Sequence, residues 1–298
     1  MSETPSIHTD PKRRHDFVLL FDVTDGNPNG DPDAGNMPRV DPESGQGLVT
    51  DVAIKRKVRD YVDALRGQDD PHFKIYIQHG AILNNQHRKA YEALGLTSKS
   101  KTESPGVKDW MCQNFFDVRT FGAVMSTEVN AGQVRGPVQI TFARSIDRIL
   151  PMEATITRVA LTKTSDAKVG EDGEEQARTG TMGRKAFIPY GLYRAQGYFV
   201  PSYAKDTGFD ADDLSVLWQA LQNMWDLDRS ASRGATACRG LYVFTHDTAL
   251  GNAPSHKLFE RISVPATNGS PRRFTDYTVT VNDADLPQGV TLTRLLEG

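Results

Sequence analysis

The sequence predicts an α+β fold: a strand–helix–strand–strand–helix–strand core, interrupted by polar insertions and extended by a projecting hairpin. Three observations predict it. Residues 17–23, FVLLFDV, form a short apolar run rich in β-branched and aromatic side chains, as a buried strand requires. Apolar residues recur at helical spacing over 51–65 and again over 210–229. Between the remaining strand patterns lie stretches too polar to enter a core, chiefly 80–107 and 165–176.

Taken in order, residues 1–14 are polar and predicted to be loose. The strand at 17–23 runs into a polar loop of more than 20 residues dense in Gly, Pro, Asn and Asp, long enough to be functional or disordered. Thr50 or Asp51 can cap the helix that follows. Ile54, Val58, Tyr61, Val62 and Leu65 form its apolar stripe. At about 100° per residue, Lys55 and Lys57 flank that stripe, Arg59 lies further round and Arg56 faces away. A strand, a long polar loop and a basic helix open a ligand-binding domain, and the ligand they suit is anionic.

Alternation predicts a second strand at 73–78, and the polar stretch after it carries a short helix at 85–94. Trp110 to Phe116 is an apolar patch leading into a strand broken by Gly122. Strands are predicted at 133–143 and 154–163, followed by an exposed acidic turn, SDAKVGEDGEEQ. The chain returns from Arg178, so the two sides make a hairpin arm. Leu214, Leu217, Trp218, Leu221, Met224 and Trp225 form the stripe of the helix at 210–229. A core strand at 240–245 and a strand pair near 277–281 and 290–295 complete the chain, and no internal repeat is present. The resulting order is the ferredoxin-like unit of RNA-recognition domains. It predicts one four-stranded sheet with both helices on one face, because their stripes need the same surface.

Composition narrows the function. A chain of 298 residues with net charge −3 and 38% hydrophobic residues can bury a sizeable core, yet is not basic overall. A nucleic-acid role then depends on how charge is distributed rather than on its sum. Cys112 and Cys238 stand apart, so neither a disulfide framework nor a CxxC zinc site is predicted, and a reducing cytoplasm suits them. No signal-peptide pattern and no membrane-spanning apolar run are read in the sequence.

Asp25 to Gly30, DGNPNG, opens like a calcium loop, but Asn36 stands where the bidentate Glu belongs, and turn chemistry explains the residues better. Thr179 to Lys185, TGTMGRK, lacks P-loop spacing. Its GTMG matches the short GXXG of some RNA-binding loops. Between Gln176 and Lys205 stand five cations and no acid, interleaved with Phe187, Tyr190, Tyr193, Tyr198, Phe199 and Tyr203. Such a stretch offers phosphate contacts and stacking faces, or an ordinary strand pair with a core of aromatics. No HExxH, GxSxG or Walker motif occurs, and His72, His79 and His87 lack ligand spacing. The carboxylates of the Asp22 to Asp33 loop keep a metal-dependent ribonuclease open as an alternative.

Four stretches, HDFVLLFDVTDGNPNGDPD, VTDVAIKRKVRDYV, FFDVRTFGAVM and MGRKAFIPYGLYRAQGYF, together resemble one family. It is the repeated backbone subunit of type I CRISPR surveillance complexes (Cascade), a RAMP-superfamily protein, in its type I-C form. The resemblance implies a modified RNA-recognition palm (1–80, 134–146 and 186–298), inserted fingers (81–133) and a hairpin thumb (147–185). It implies a non-catalytic protein without cofactor or metal whose copies form a filament along a guide RNA. That filament presents the bases to target DNA beside other Cascade subunits. On this reading Lys55, Arg59, Arg184 and Lys185 grip RNA phosphates, with Arg56, Arg119, Arg135 and Arg194 as further candidates. Asn27, Asn29 and Gly30 shape the palm surface beside the RNA. Met152, Ile156 and Ala160 share one face of the arm and form an apolar wedge that displaces one guide nucleotide per subunit.

Overall fold

The computed structural model describes residues 6–66, 70–97, 103–158, 167–169, 175–177, 181–267 and 269–298. Its centre is the strand β1 (His15–Gly26), in which residues 15–23 are all buried. A strand can be apolar on successive residues only if both faces of its sheet are covered. Phe17, Leu19, Phe21 and Val23 accordingly point into one hydrophobic cluster and Val18 and Leu20 into another.

Among the described residues, eight strands share one antiparallel sheet. Besides β1 these are β2 (Gln46–Val49), β3 (Val138–Ile140), β4 (Ala143–Arg148), β5 (Met152–Arg158), β6 (Thr181–Phe199), β7 (Ala235–His246) and β8 (Val290–Glu297). The order is β8-β7-β1-β6-β4-β2, with β3 and β5 also paired to β6. The sheet is thus wider than the four strands expected. Part of the long opening loop enters it as β2, and the chain's last residues enter as β8. Phe17 faces Gly197 across the β1–β6 ladder, where a Cβ would sit 2.0 Å from the Phe17 ring, so only glycine fits there.

Helices α1 (Asp51–Arg66) and α6 (Ala211–Leu227) pack on one face through their apolar stripes, except that Leu65 at the end of the α1 stripe is 44% exposed. Phe21 stacks on Trp225 at 4.4 Å between centroids, and Phe17 meets Trp218 edge-on at 5.2 Å. Asp210 accepts from the N–H groups of Asp212 and Asp213, while Asp213 accepts from that of Asp210, a capping box that fixes the start of α6. The opposite face is covered by α7 (Ser255–Phe259) together with Ile262 and Tyr277. A separate cluster joins α2 (Leu83–Ala93), α3 (Val107–Asn114) and α4 (Phe116–Phe121) to a ribbon, Gly122–Ser126 with Asn130–Arg135. Between α4 and α6 comes α5 (Pro201–Thr207).

Five local expectations are corrected. Residues 73–78 are not a strand: apart from one bridge, Lys74 with Phe115, the backbone N–H groups of Tyr76 and Ile77 donate to the Asp117 carboxylate. Residues 117–121 are helical, and the strand begins only at Gly122, whose φ of 80° ends the helix. The single strand expected at 133–143 is three pieces, because the chain breaks at Gly136-Pro137 and again at Thr141-Phe142. In the acidic link, Ala167–Val169 pairs with Glu175–Ala177 rather than forming only a turn. The two tail strands do not pair with each other: Thr280–Val281 pairs with Ile262–Ser263, and β8 with β7.

The hairpin arm is β5 paired with residues 181–187 of β6, so its second side continues directly into the central sheet. Met152 and Ile156 share one exposed face of it, with Ile156 lying against Gly183. Ala160 lies outside the described residues.

Candidate nucleic-acid interface

The polar loop after β1 is built rather than slack. Asn27 donates from Nδ2 to the Asn36 carbonyl at 2.7 Å, and its N–H reaches the Ser232 carbonyl at 2.7 Å. Asn29 Oδ1 accepts from both the N–H and the hydroxyl of Thr50, at 2.9 and 3.0 Å, which ties the loop to the start of α1. Gly30 packs against Asn36, where a Cβ would meet Oδ1 at 2.0 Å. Pairing of Gly30–Asp31 with Met37–Pro38 closes the loop on itself.

Between this loop, the first turns of α1 and the turn after α6 runs an open groove. Asn29, Gly30, Arg39, Arg56, Lys57 and Arg233 are among its lining residues, and Asp60 and Asp228 are its acids. Four cations thus face two carboxylates. Arg56 is 63% exposed and lies 3.7 Å from Asp60, a solvated pair that leaves most of its donors available. Arg39 lies 3.4 Å from Asp31. Lys57 is deep, 6% exposed, paired with Asp228 and under the Trp225 ring. Burial, with the charges of Arg233 and Arg56 nearby, pushes its ammonium down to about 7. Burial also lowers Arg233.

The expected RNA-facing residues separate into two groups. Asn29, Gly30 and Arg56 meet at the groove, with buried Asn27 beneath the loop. Arg135 is exposed over the Tyr203 ring at 4.4 Å. Arg184 and Lys185 stand on the arm, Arg184 3.7 Å from Glu153 and Lys185 over the Phe187 ring. The second group has its donors engaged within the fold. Lys55 is held by Asp51 at 2.9 Å and Arg59 by Asp117 at 2.7 Å, both beside the Phe121 ring. Arg119 is wholly buried in a two-pronged pair with Asp213, at 2.6 and 2.8 Å, beside the rings of Phe73 and Phe116. Arg194 donates to the carbonyls of Phe259 and Ile262. Asp117, which holds Arg59, and Asp213, which holds Arg119, are distant in sequence, so local pattern does not show that these cations are engaged.

The sequence reading missed Arg39, Lys57 and Arg233. Lys57 was visible as a flank of the α1 stripe. Arg233 is brought in only by the pairing of β7 with β1, which no local pattern announces. The loop carboxylates are dispersed: Asp22 is turned into the sheet, accepting from Tyr190 and paired with Arg239 at 2.9 Å, whereas Asp25 and Asp33 are exposed. Among the described residues, no cluster of three or more His, Cys, Asp or Glu is arranged to hold a metal. No helix among them is long and apolar enough to cross a membrane. A second groove crosses the sheet's other face near Phe142, Arg144, Arg148 and Ala266.

Comparison with known proteins agrees with this architecture. The family model of CRISPR-associated protein Cas7 matches residues 13–282. A Haloferax volcanii protein described as CRISPR-associated protein Cas7 is 27% identical over 235 residues, 70% of this chain. The matched part spans 64% of that relative's length. Among solved structures, a chain of a CRISPR RNA-guided surveillance complex in a pre-nicking state is similar in fold, with TM-score 0.52 and 15% identity, covering 88% of this chain and 85% of that one. A chain of a second CRISPR RNA-guided surveillance complex gives TM-score 0.50 and 18% identity, over 88% and 78%. With the family model matched along most of its length, the chain belongs to the Cas7 family of CRISPR-associated proteins.

Proposed function

We propose that this protein is a non-catalytic backbone subunit of a type I-C Cascade complex, binding CRISPR RNA (crRNA) along its phosphate backbone. The carrying observation is the groove beside α1, where Arg39, Arg56, Lys57 and Arg233 meet the loop of Asn29 and Gly30. Point charges and loop amides hold phosphates without reading bases, as a carrier of many guides requires. The central order β7-β1-β6-β4, each neighbour antiparallel, is that of an RNA-recognition sheet and supports the palm assignment. The separate cluster of α2, α3 and α4 then serves as the fingers, and the β5–β6 hairpin as the thumb.

Copies stack along the guide, and the crRNA bases are presented to target DNA. Met152 and Ile156, exposed on the thumb, are the wedge that sets one nucleotide aside per subunit. A two-stranded arm is marginal alone in water and gains stability from the neighbouring copy and the RNA. The test is purification from cells that express a CRISPR array. The protein should retain RNA of defined length that stays intact in magnesium. Recovery free of nucleic acid, or magnesium-dependent cleavage abolished by Asp31→Ala, would replace this reading with another.

A further inference from the structure

The floor of the groove already contains an anion. Asp228 ends α6 and is paired with Lys57, and its carboxylate also lies 3.4 Å from Arg233 Nε. Lys57 is 6% and Asp228 19% exposed, whereas the pair at the rim, Arg56 with Asp60, is 63% and 59% exposed. Two cations brought together in a desolvated pocket repel each other, and a buried ammonium without a partner is costly. In the free protein a negative group at this spot offsets that cost. Asp228 supplies that charge through one oxygen, Oδ2, which faces both cations. A phosphate offers the same charge with more acceptor oxygens, and Arg39 and Arg56 line the same groove to share them.

Asp228 is also placed to leave. It has non-helical backbone (φ −78°, ψ 57°) at the end of α6, and the turn that follows, 229–232, is exposed. We propose that Asp228 is a built-in stand-in for a nucleic-acid phosphate. An RNA phosphate takes its place between Lys57 and Arg233, and the Asp228 side chain turns out to solvent. The inference rests on the groove being the RNA seat, and adds to it a competitor carried by the protein itself. A polyanion that offers one isolated phosphate loses to Asp228. A strand already held at neighbouring phosphates by Arg39 and Arg56 wins the exchange, so the seat favours continuous single strands.

The test measures binding of a fluorescent single-stranded RNA by anisotropy at fixed salt. Asp228→Asn should tighten binding about tenfold, the worth of one charge-assisted contact no longer contested. Asp228→Glu keeps the carboxylate and should behave as wild type. Asp226→Asn removes a 76% exposed charge two residues from Asp228 and outside the groove, and should change affinity less than about twofold. The gain from Asp228→Asn should vanish in a Lys57→Met background, because Asp228 then no longer occupies that contact. An equal gain in both backgrounds would mean only long-range repulsion, and no gain in a folded Asp228→Asn protein would mean a purely structural carboxylate; either overturns the proposal. Hydrogen exchange on the wild-type protein decides independently of how the variants fold. RNA should protect 27–38 and speed exchange at 228–233, whereas protection of both segments would show that Asp228 stays in place. A wild-type protein that binds no RNA would overturn the groove assignment itself, and this proposal with it.

Discussion

Replacing Arg119 by Leu separates a structural cation from a phosphate ligand. Arg119 donates through Nε and Nη2 to Asp213 at 2.8 and 2.6 Å, and through Nη1 to the carbonyl of His72. Its guanidinium also lies 5.1 and 5.5 Å from the rings of Phe73 and Phe116. Leu leaves Asp213 buried without its partner, although the backbone N–H of Asp210 still donates to it. Breaking one side of a buried pair costs about 3–5 kcal/mol. With a urea slope of about 3 kcal/mol/M, the unfolding midpoint should fall by roughly 1–1.7 M. In the protein that remains folded, the salt dependence of RNA binding should be unchanged, because Arg119 has no exposed surface. A salt slope reduced by about 0.7, with the urea midpoint unmoved, would show that Arg119 holds a phosphate and that its burial is misread.

Three further outcomes follow from the same geometry. Arg39→Ala with Arg56→Ala should lower the salt slope of single-strand binding by about 1.4, at about 0.7 per phosphate, whereas Lys55→Ala with Arg59→Ala should leave it unchanged and cost stability instead. Gly30→Ala places a Cβ against Asn36 and should destabilise the loop by about 1–3 kcal/mol, read as a lower melting temperature with weaker RNA binding. His15 is buried, and burial lowers its pKa from 6.5 to about 4. The unfolded chain therefore takes up a proton that the folded one refuses, and His15 removes stability as pH falls from above 6.5 towards 4, by about 3 kcal/mol in all. Urea midpoints measured from pH 7.5 to 4.5 should fall less steeply in His15→Gln than in wild type.

What could be read from the sequence was whatever local pattern determines. The apolar run around Phe17–Phe21 and the stripes of α1 and α6 specify burial directly, so the central strand and both helices were legible. Residues 73–78 alternate like a strand, yet their N–H groups are captured by Asp117, about 40 residues away, and alternation alone cannot foresee a side-chain acceptor. β2 was hidden because a short edge strand is defined by its neighbours more than by composition, whereas β8 was legible as a strand at 290–295 but its pairing with β7 was not. The site divides the same way. Asn29 and Gly30 announced themselves as turn chemistry, whereas the difference between solvated Arg56 and engaged Arg59 depends on where Asp117 lies in space.

The most direct test of the RNA seat is to cross-link the protein to its co-purified or added guide RNA with ultraviolet light and identify the modified peptides by mass spectrometry. The groove predicts adducts in 27–40, in 52–60 and in 228–234, the three segments that line it. Adducts confined to 141–148 and 264–267, around the groove on the opposite face of the sheet, would place the RNA elsewhere and contradict the account.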